Sequence, residues 1–170
     1  MTAAGEPGHA RAVDRKDIAG KVAAARQARL CGECTSCCTV MAVTELNKPR
    51  GQACKHICAS GCAIYDERPD SCRRFDCLWR LGFARDEDRP DRFGVIFDIT
   101  PQDRDSGLQA VMAFEARAGA FAEQKVRYQL ERHAKKHLVL LMVPGKVEVL
   151  GPSDQVARWQ RSQSRRALGL

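Results

Sequence analysis

The feature that most constrains this chain is the crowding of its cysteines. All nine lie between residues 31 and 77, and the rest of the 170-residue sequence contains none. Thiolates at this density repel one another unless a cation binds among them or they oxidise in pairs. The segment is therefore expected to fold around bound metal or around disulfides. The nine are Cys31, Cys34, Cys37, Cys38, Cys54, Cys58, Cys62, Cys72 and Cys77.

The N-terminal residues favour metal over disulfides. The opening sequence MTAAGEPGHARAVDRKD has no apolar stretch of the kind that a secretory signal requires. We therefore expect a cytoplasmic protein, and the cytosol keeps thiols reduced. Nine is also an odd number, so complete disulfide pairing would leave one thiol over. Disulfide or redox chemistry stays open as the alternative.

Composition and charge narrow the classes of partner. The hydrophobic fraction of 44% and the charged fraction of 29% are globular values, and no apolar run is long enough to span a membrane. The net charge of +7 suggests nucleic acid. However, eight thiolates on two divalent ions would lower that charge by four, so the basic residues between the cysteines balance an anionic site. These residues are Lys55, Arg68, Arg73 and Arg74.

Three regions follow from the pattern along the chain. Residues 1–12 are small and polar, which is typical of a disordered terminus. Residues 13–84 combine a predicted helix over residues 14–30 with the cysteine-bound lobe. Between residues 31 and 62 neither the helical nor the strand period persists, which indicates loop-built structure that cannot order itself unaided.

Residues 85–170 form the third region, an α+β layer expected to make one compact unit with the lobe. Two strands are predicted over residues 93–99 and 108–114, a helix over 120–137, and a hairpin of strands 137–143 and 146–151 around Pro144 and Gly145. A short helix is expected from residue 153. The order β-β-α-β-β predicts a small antiparallel sheet with helices packed on one face.

The first cysteine group has the spacing of a metal site. Cys31-x2-Cys34-x2-Cys37-Cys38 lets thiolates converge on one ion, as in zinc sites and iron-sulfur centres. The bacterial ferredoxin pattern is not completed, because Met41 stands where its fourth cysteine would be. In an extended chain Cys37 and Cys38 would point to opposite faces, so we expect them to serve two ions or two sides of one polynuclear cluster.

The remaining cysteines provide more donors than two simple sites need. Cys54-x3-Cys58-x3-Cys62 and Cys72-x4-Cys77 complete the nine, and two tetrahedral all-thiolate sites use eight. One thiol is spare, or some sulfurs bridge metals. His56 is either a nitrogen ligand or a loop histidine bonded to backbone.

Other residues give little chemistry. His133 and His137 are expected to lie at a solvated helix end. Four acidic residues lie beside arginines and are expected to form ion pairs, so no catalytic residue is identifiable. They are Asp66, Glu67, Asp70 and Asp76.

Residues 31–79 resemble the CxxCxxCC cysteine-cluster family, the YkgJ-like domains described as zinc- or iron-chelating. The matching elements are Cys31-x2-Cys34-x2-Cys37-Cys38, Cys54-x-His56 and Gly61-Cys62-x-Ile64-Tyr65-x2-Arg68-Pro69-x2-Cys72-Arg73-x-Phe75-x-Cys77-x-Trp79. The resemblance implies that every cysteine except Cys58 is a ligand, and Cys58 is the least secure member of the set. A flagellin lysine methylase carries a similar cysteine run, which suggests an iron-sulfur alternative.

The sequence therefore predicts a cytoplasmic protein that chelates zinc or iron through clustered thiolates, with the metal stabilising the lobe. An iron-sulfur redox protein or oxidoreductase accessory is the first alternative. A nucleic-acid adaptor, suggested by the basic tail, is the weakest. That tail contains Arg158, Arg161, Arg165 and Arg166.

Overall fold

The computed structural model describes residues 15–167 and has the α+β class that the sequence predicts. The predicted disordered terminus, residues 1–12, lies outside the described residues. The helices are α1 Arg15–Ala28, α2 Ser36–Val40, α3 Asp70–Arg74, α4 Pro90–Phe93, α5 Gln124–Ala134 and α6 Ser153–Ala167. The strands are β1 Ile57–Cys58, β2 Gly61–Cys62, β3 Val95–Ile99, β4 Ala110–Glu115, β5 Leu138–Val143 and β6 Lys146–Leu150. No helix in the described part of the chain is long and apolar enough to cross a bilayer.

The main sheet has the strand order β3-β4-β5-β6. The predicted succession β-β-α-β-β is confirmed, and so is the hairpin, in which Val143 pairs with Lys146. The expectation of a wholly antiparallel sheet is wrong, because β4 and β5 run parallel, with Val111 opposite Val139. The helix α5 lies between these two strands in sequence and supplies the crossover that parallel neighbours need.

Both faces of this sheet are covered, so the expectation of helices on one face is also wrong. Val126 and Leu130 of α5 pack on the face that carries Phe97 and Val111. On the other face, Trp159 of α6 packs against a group of strand residues, namely Ala110, Leu138 and Leu140. The continuous apolar run of β5 is the sequence pattern expected for a strand buried on both faces.

The cysteine lobe covers the rest of that second face. Val40 of α2 packs with Ile96 of β3 and Phe114 of β4, and Cys37 and Cys77 lie against this cluster. The backbone of Leu78 also donates a hydrogen bond to the Phe97 carbonyl oxygen, at 2.8 Å. The lobe and the sheet therefore share one hydrophobic core.

Several element boundaries differ from the predicted ones, and two of these differences have a clear local cause. Phe93 ends α4 instead of starting a strand, and Gly94 follows it at φ +89°. A Cβ on Gly94 would lie 2.8 Å from the Cβ of Ala120, so only glycine fits this turn. The helix α5 starts at Gln124 and not at residue 120, because a 3-10 turn over Ala120–Ala122 precedes it. The loop-built segment after residue 31 also contains α2, a 3-10 turn over Thr44–Leu46 and the β1-β2 hairpin.

Arg29, which directly follows α1, helps to join that helix to the lobe. The guanidinium of Arg29 donates to the carbonyl oxygens of Trp79, at 2.5 Å, and Ala84, at 2.9 Å. It also pairs with Asp86 at 2.6 Å, and its charge lies 5.4 Å from the centre of the Trp79 ring. Because one planar group contacts three partners, it fixes the end of α1 against the segment that follows the last cysteine.

Candidate metal centre

Eight of the nine cysteines line two adjoining cavities in the lobe. The larger cavity has a volume of about 260 Å³ and the smaller about 60 Å³. Cys31, Cys34, Cys37 and Cys72 line both. The larger cavity adds Cys38, Cys54 and Cys62, and the smaller adds Cys77. Residues up to 46 positions apart in sequence are thus gathered around two adjoining cavities.

Backbone hydrogen bonds place these thiols. The amide of Cys34 donates to the Cys31 carbonyl oxygen at 2.9 Å, which closes the first C-x2-C turn. The amide of Cys54 donates to the Cys38 carbonyl oxygen, also at 2.9 Å, and this bond ties the second cysteine group to α2. Cys62 lies on β2, opposite Ile57 of β1. Each sulfur is therefore held by a turn, a short helix or a hairpin instead of a long regular element.

Gly61 brings the β1-β2 hairpin against the first turn. Its φ is +119°, a backbone conformation that residues with a side chain rarely adopt. A Cβ at this position would lie 2.5 Å from the carbonyl oxygen of Gly32. Glycine therefore permits a close backbone approach between the residues next to Cys62 and those next to Cys31.

Cys37 and Cys38 do not diverge as expected, because they lie in α2 and not in an extended chain. Successive helical residues project about 100° apart, so both side chains can line the larger cavity. The Cys37 thiol donates a hydrogen bond to Cys38, which raises the pKa of Cys37 and lowers the pKa of Cys38 to about 6. Cys38 therefore carries the negative charge of this pair.

In contrast to Cys38, three other thiols of the group are harder to ionise because they are buried. Burial raises the pKa of Cys31 and Cys72, and it raises the pKa of Cys77 to about 11. At neutral pH these side chains hold their protons in the absence of a bound cation. Metal binding at this site would therefore release protons, as it does wherever thiols become thiolate ligands.

Cations lie among the thiols, but they are not the set expected from sequence. Arg68 lines both cavities and stacks on the Tyr65 ring, 3.5 Å from its centre, and Arg73 lines the smaller cavity. Lys55 and Arg74 are exposed and line neither. The sequence analysis missed two cations, which are Arg80 at the smaller cavity and the buried Lys48.

Of the four predicted acidic partners, Asp76 forms the expected ion pairs. Its carboxylate contacts Arg26 at 2.5 Å and also Arg80, and it is nearly buried. Arg80 in turn donates a hydrogen bond to the Arg29 carbonyl oxygen at 2.8 Å. Asp76 therefore holds α1 and a cavity-lining arginine together.

The remaining candidate ligands lie apart from the cavities. Cys58 is exposed in the β1-β2 hairpin, 3.3 Å from the Ser60 hydroxyl oxygen, and His56 lines neither cavity. His137 is exposed, as expected. His133 is not at a solvated helix end, because its ring packs against Phe97 on the opposite face of the sheet, with 5.2 Å between ring centres, and burial lowers its pKa.

The donors at this site are thiols, the kind of side chain that thiophilic metals prefer. All nine cysteines lie in the described part of the chain and all are free thiols, so none is consumed in a disulfide. Among the described residues, no group of three or more histidine, cysteine, aspartate or glutamate side chains is drawn together in an arrangement that could hold a metal ion. The thiols line a shared space without converging on one point within it.

Comparison with known proteins gives no relative for this chain. No protein-family model matches it, no curated protein is significantly similar to it, and no solved structure matches its fold.

Proposed function

We propose that the lobe binds zinc or iron through its clustered cysteine thiolates, and that the main role of the metal is to stabilise the fold of the lobe. The observation that carries this proposal is the gathering of eight free thiols around two adjoining cavities. Without a metal, clustered thiols repel one another when they are ionised and contribute little when they are protonated. The proposal includes a reducing, cytoplasmic location, since oxidation would remove the ligands.

The number of donors supports more than one ion. Eight thiolates complete two four-thiolate zinc sites, and the spare ninth cysteine is then the exposed Cys58. The resemblance to the zinc- or iron-chelating cysteine-cluster domains agrees with this division, because that resemblance implies the same eight ligands. Within this proposal, the chain's own contribution is to bring four sequence-distant turns together and to balance their charge with arginine and lysine.

Metal analysis of protein purified under anaerobic conditions tests the proposal. We expect bound zinc or iron in stoichiometric amounts, and we expect chelation to increase amide hydrogen exchange between residues 31 and 77. A fully reduced protein that contains neither metal, with this region still protected from exchange, would refute it.

A matched pair of substitutions in one hairpin locates the ligands. Cys62→Ser removes a thiol that lines the larger cavity, whereas Cys58→Ser removes an exposed thiol four residues away. We expect Cys62→Ser to reduce metal content and to weaken retention of the remaining metal. The Cys58→Ser protein should bind as much metal as the original chain. Equal losses in the two variants would contradict the assignment.

An iron-sulfur redox protein is the second candidate. It is favoured by the placement of the C-x2-C-x2-C cysteines, since Cys31, Cys34 and Cys37 all line both cavities. An apolar wall that includes Met41, Val43 and Phe75 would shield such a cluster from water. A visible absorbance spectrum of anaerobic protein separates the two candidates, because zinc thiolates are colourless and iron-sulfur clusters are coloured.

The nucleic-acid hypothesis loses part of its support from the tail. Arg158 donates a hydrogen bond to the Ser106 carbonyl oxygen, and Arg166 forms ion pairs with Asp103 and Asp105. These two arginines hold α6 against the loop before β4, so they already have partners within the protein. Basic surface by itself is weak evidence for nucleic acid.

A further inference from the structure

Lys48 is buried behind the wall of the larger cavity: it lines neither cavity itself, but Met41 and Val43, which it contacts, line the larger one. Only 7% of its surface is exposed, and lysine is almost never buried unless it is paired. The backbone holds it there, because Val43 and Lys48 form an antiparallel bridge with hydrogen bonds of 2.9 and 3.0 Å. This bridge closes a tight turn whose residues Val43 and Leu46 line the larger cavity.

The hydrogen bond that Lys48 makes satisfies one N–H donor of its ammonium group but does not balance the positive charge of that group. Its Nζ donates a hydrogen bond to the carbonyl oxygen of Met41, the residue after α2. No carboxylate among residues 15–167 forms an ion pair with it. A buried ammonium with no anionic partner is costly, so the surroundings of Lys48 need a negative charge from another source.

The groups that can supply this negative charge are the cysteine sulfurs, most of which would become charged only on binding a metal. Burial lowers the pKa of Lys48, and negative charge on four cysteines opposes that effect; these are Cys54, Cys38, Cys37 and Cys72. All four line the larger cavity. The anion that would compensate Lys48 is therefore the thiolate group itself.

We infer that Lys48 is the built-in counter-ion of a bound metal-thiolate cluster, and that this cluster is net negative. The inference rests on the proposed function and specifies the class of group the cavity takes. A divalent ion with two thiolates and two neutral ligands is uncharged, whereas three or four thiolates leave negative charge for Lys48 to balance. The cavity is thus assigned an anionic, thiolate-rich centre instead of a neutral one.

Three substitutions separate charge from hydrogen bonding and packing. Lys48→Arg keeps the charge, Lys48→Gln keeps an N–H donor for the Met41 carbonyl without charge, and Lys48→Met keeps only the apolar stem. Zinc affinity is measured for each full-length variant by competition with a coloured chelator. We expect both neutral variants to bind zinc roughly ten-fold more weakly or worse, as the loss of one nearby unit charge implies. The arginine variant should stay within a few-fold of the original chain.

The outcomes distinguish this inference from the proposed function. Failure of the unaltered chain to bind either zinc or iron under anaerobic conditions would overturn both. Binding by the unaltered chain with undiminished affinity in the glutamine variant would overturn the counter-ion role alone. Equal weakening of zinc binding in all three variants would also overturn the counter-ion role, because it would show that Lys48 acts through packing and not through its charge. For a variant that folds only when metal is bound, we compare the zinc concentration that restores the circular dichroism of the folded chain. Loss of folding is then part of the measurement.

Discussion

Replacing Gly61 by alanine tests the contact that brings two cysteine groups together. Gly61 adopts φ +119°, and a side chain in that conformation costs about 1–3 kcal/mol. The added Cβ would also lie 2.5 Å from the Gly32 carbonyl oxygen, a backbone atom that cannot rotate away. Such overpacking costs about 1–3 kcal/mol more. Together the two effects predict a loss of about 2–6 kcal/mol in the free energy of unfolding.

Gly51→Ala is the matched control. Gly51 is also in the lobe and has φ +76°, but nothing lies within 4 Å of the position that a Cβ would take there. It should lose only the conformational part, about 1–2 kcal/mol. Both substitutions reduce the entropy of the unfolded chain equally, so the difference between the variants reports the clash with Gly32 together with any extra backbone strain at φ +119°.

Urea denaturation of both variants, with the same metal load, measures the difference. We expect Gly61→Ala to unfold at a lower urea concentration than Gly51→Ala. If the lobe binds metal as proposed, Gly61→Ala should also release it more readily, because Cys62 and Cys31 adjoin the strained contact. If the two variants unfold at the same urea concentration, the hairpin and the first C-x2-C turn do not touch and do not enclose a shared cavity.

Three further predictions concern the core, the first helix and acid stability. Leu138→Ala empties a fully buried site in β5 and should cost about 2–5 kcal/mol in the free energy of unfolding, measured by urea denaturation. Arg29→Lys cannot reproduce three simultaneous contacts, so amide exchange in α1 should accelerate while exchange in the main sheet stays unchanged. Hydrogen bonds from Ser106, together with Arg166, lower the pKa of Asp103 to about 2, below its value of about 3.9 in an unfolded chain. This group therefore stabilises the fold above about pH 4, and its contribution is lost as the pH falls towards 2. Asp103→Asn should weaken the acid dependence of the melting temperature in that range, and an unchanged dependence would contradict the assignment.

The C-terminal layer could be predicted from sequence because its periods are local. The apolar stripe of α5 and the turn at Pro144 and Gly145 specify a helix and a hairpin without reference to the rest of the chain. The parallel pairing of β4 and β5 is a non-local choice, and local periodicity does not report it. The same is true of the second covered sheet face, since the run LVLLMV marks a buried strand without saying what covers it.

The residues of the candidate site also fall into those that the sequence could predict and those that it could not. Cysteine spacing identified the thiols that line the cavities, and the family resemblance singled out Cys58 as the weakest candidate. Spacing could not identify Lys48, because a lysine before a proline is ordinarily an exposed turn residue and only the tertiary contacts bury it. The relation between Cys37 and Cys38 was misjudged for another reason, which is that a five-residue helix is too short to produce a readable period.

If the lobe binds metal as proposed, its contact with the sheet links metal supply to the fate of the whole chain. Ile96 and Phe114 are each 1% exposed, and the residues that cover them belong to the segment that carries Cys37, Phe75 and Cys77. If that segment loosened after metal loss, it would expose an aggregation-prone apolar patch on a sheet that remains intact. Chaperones and proteases act on such patches, so a metal-starved cell would clear this protein while its secondary structure was still in place.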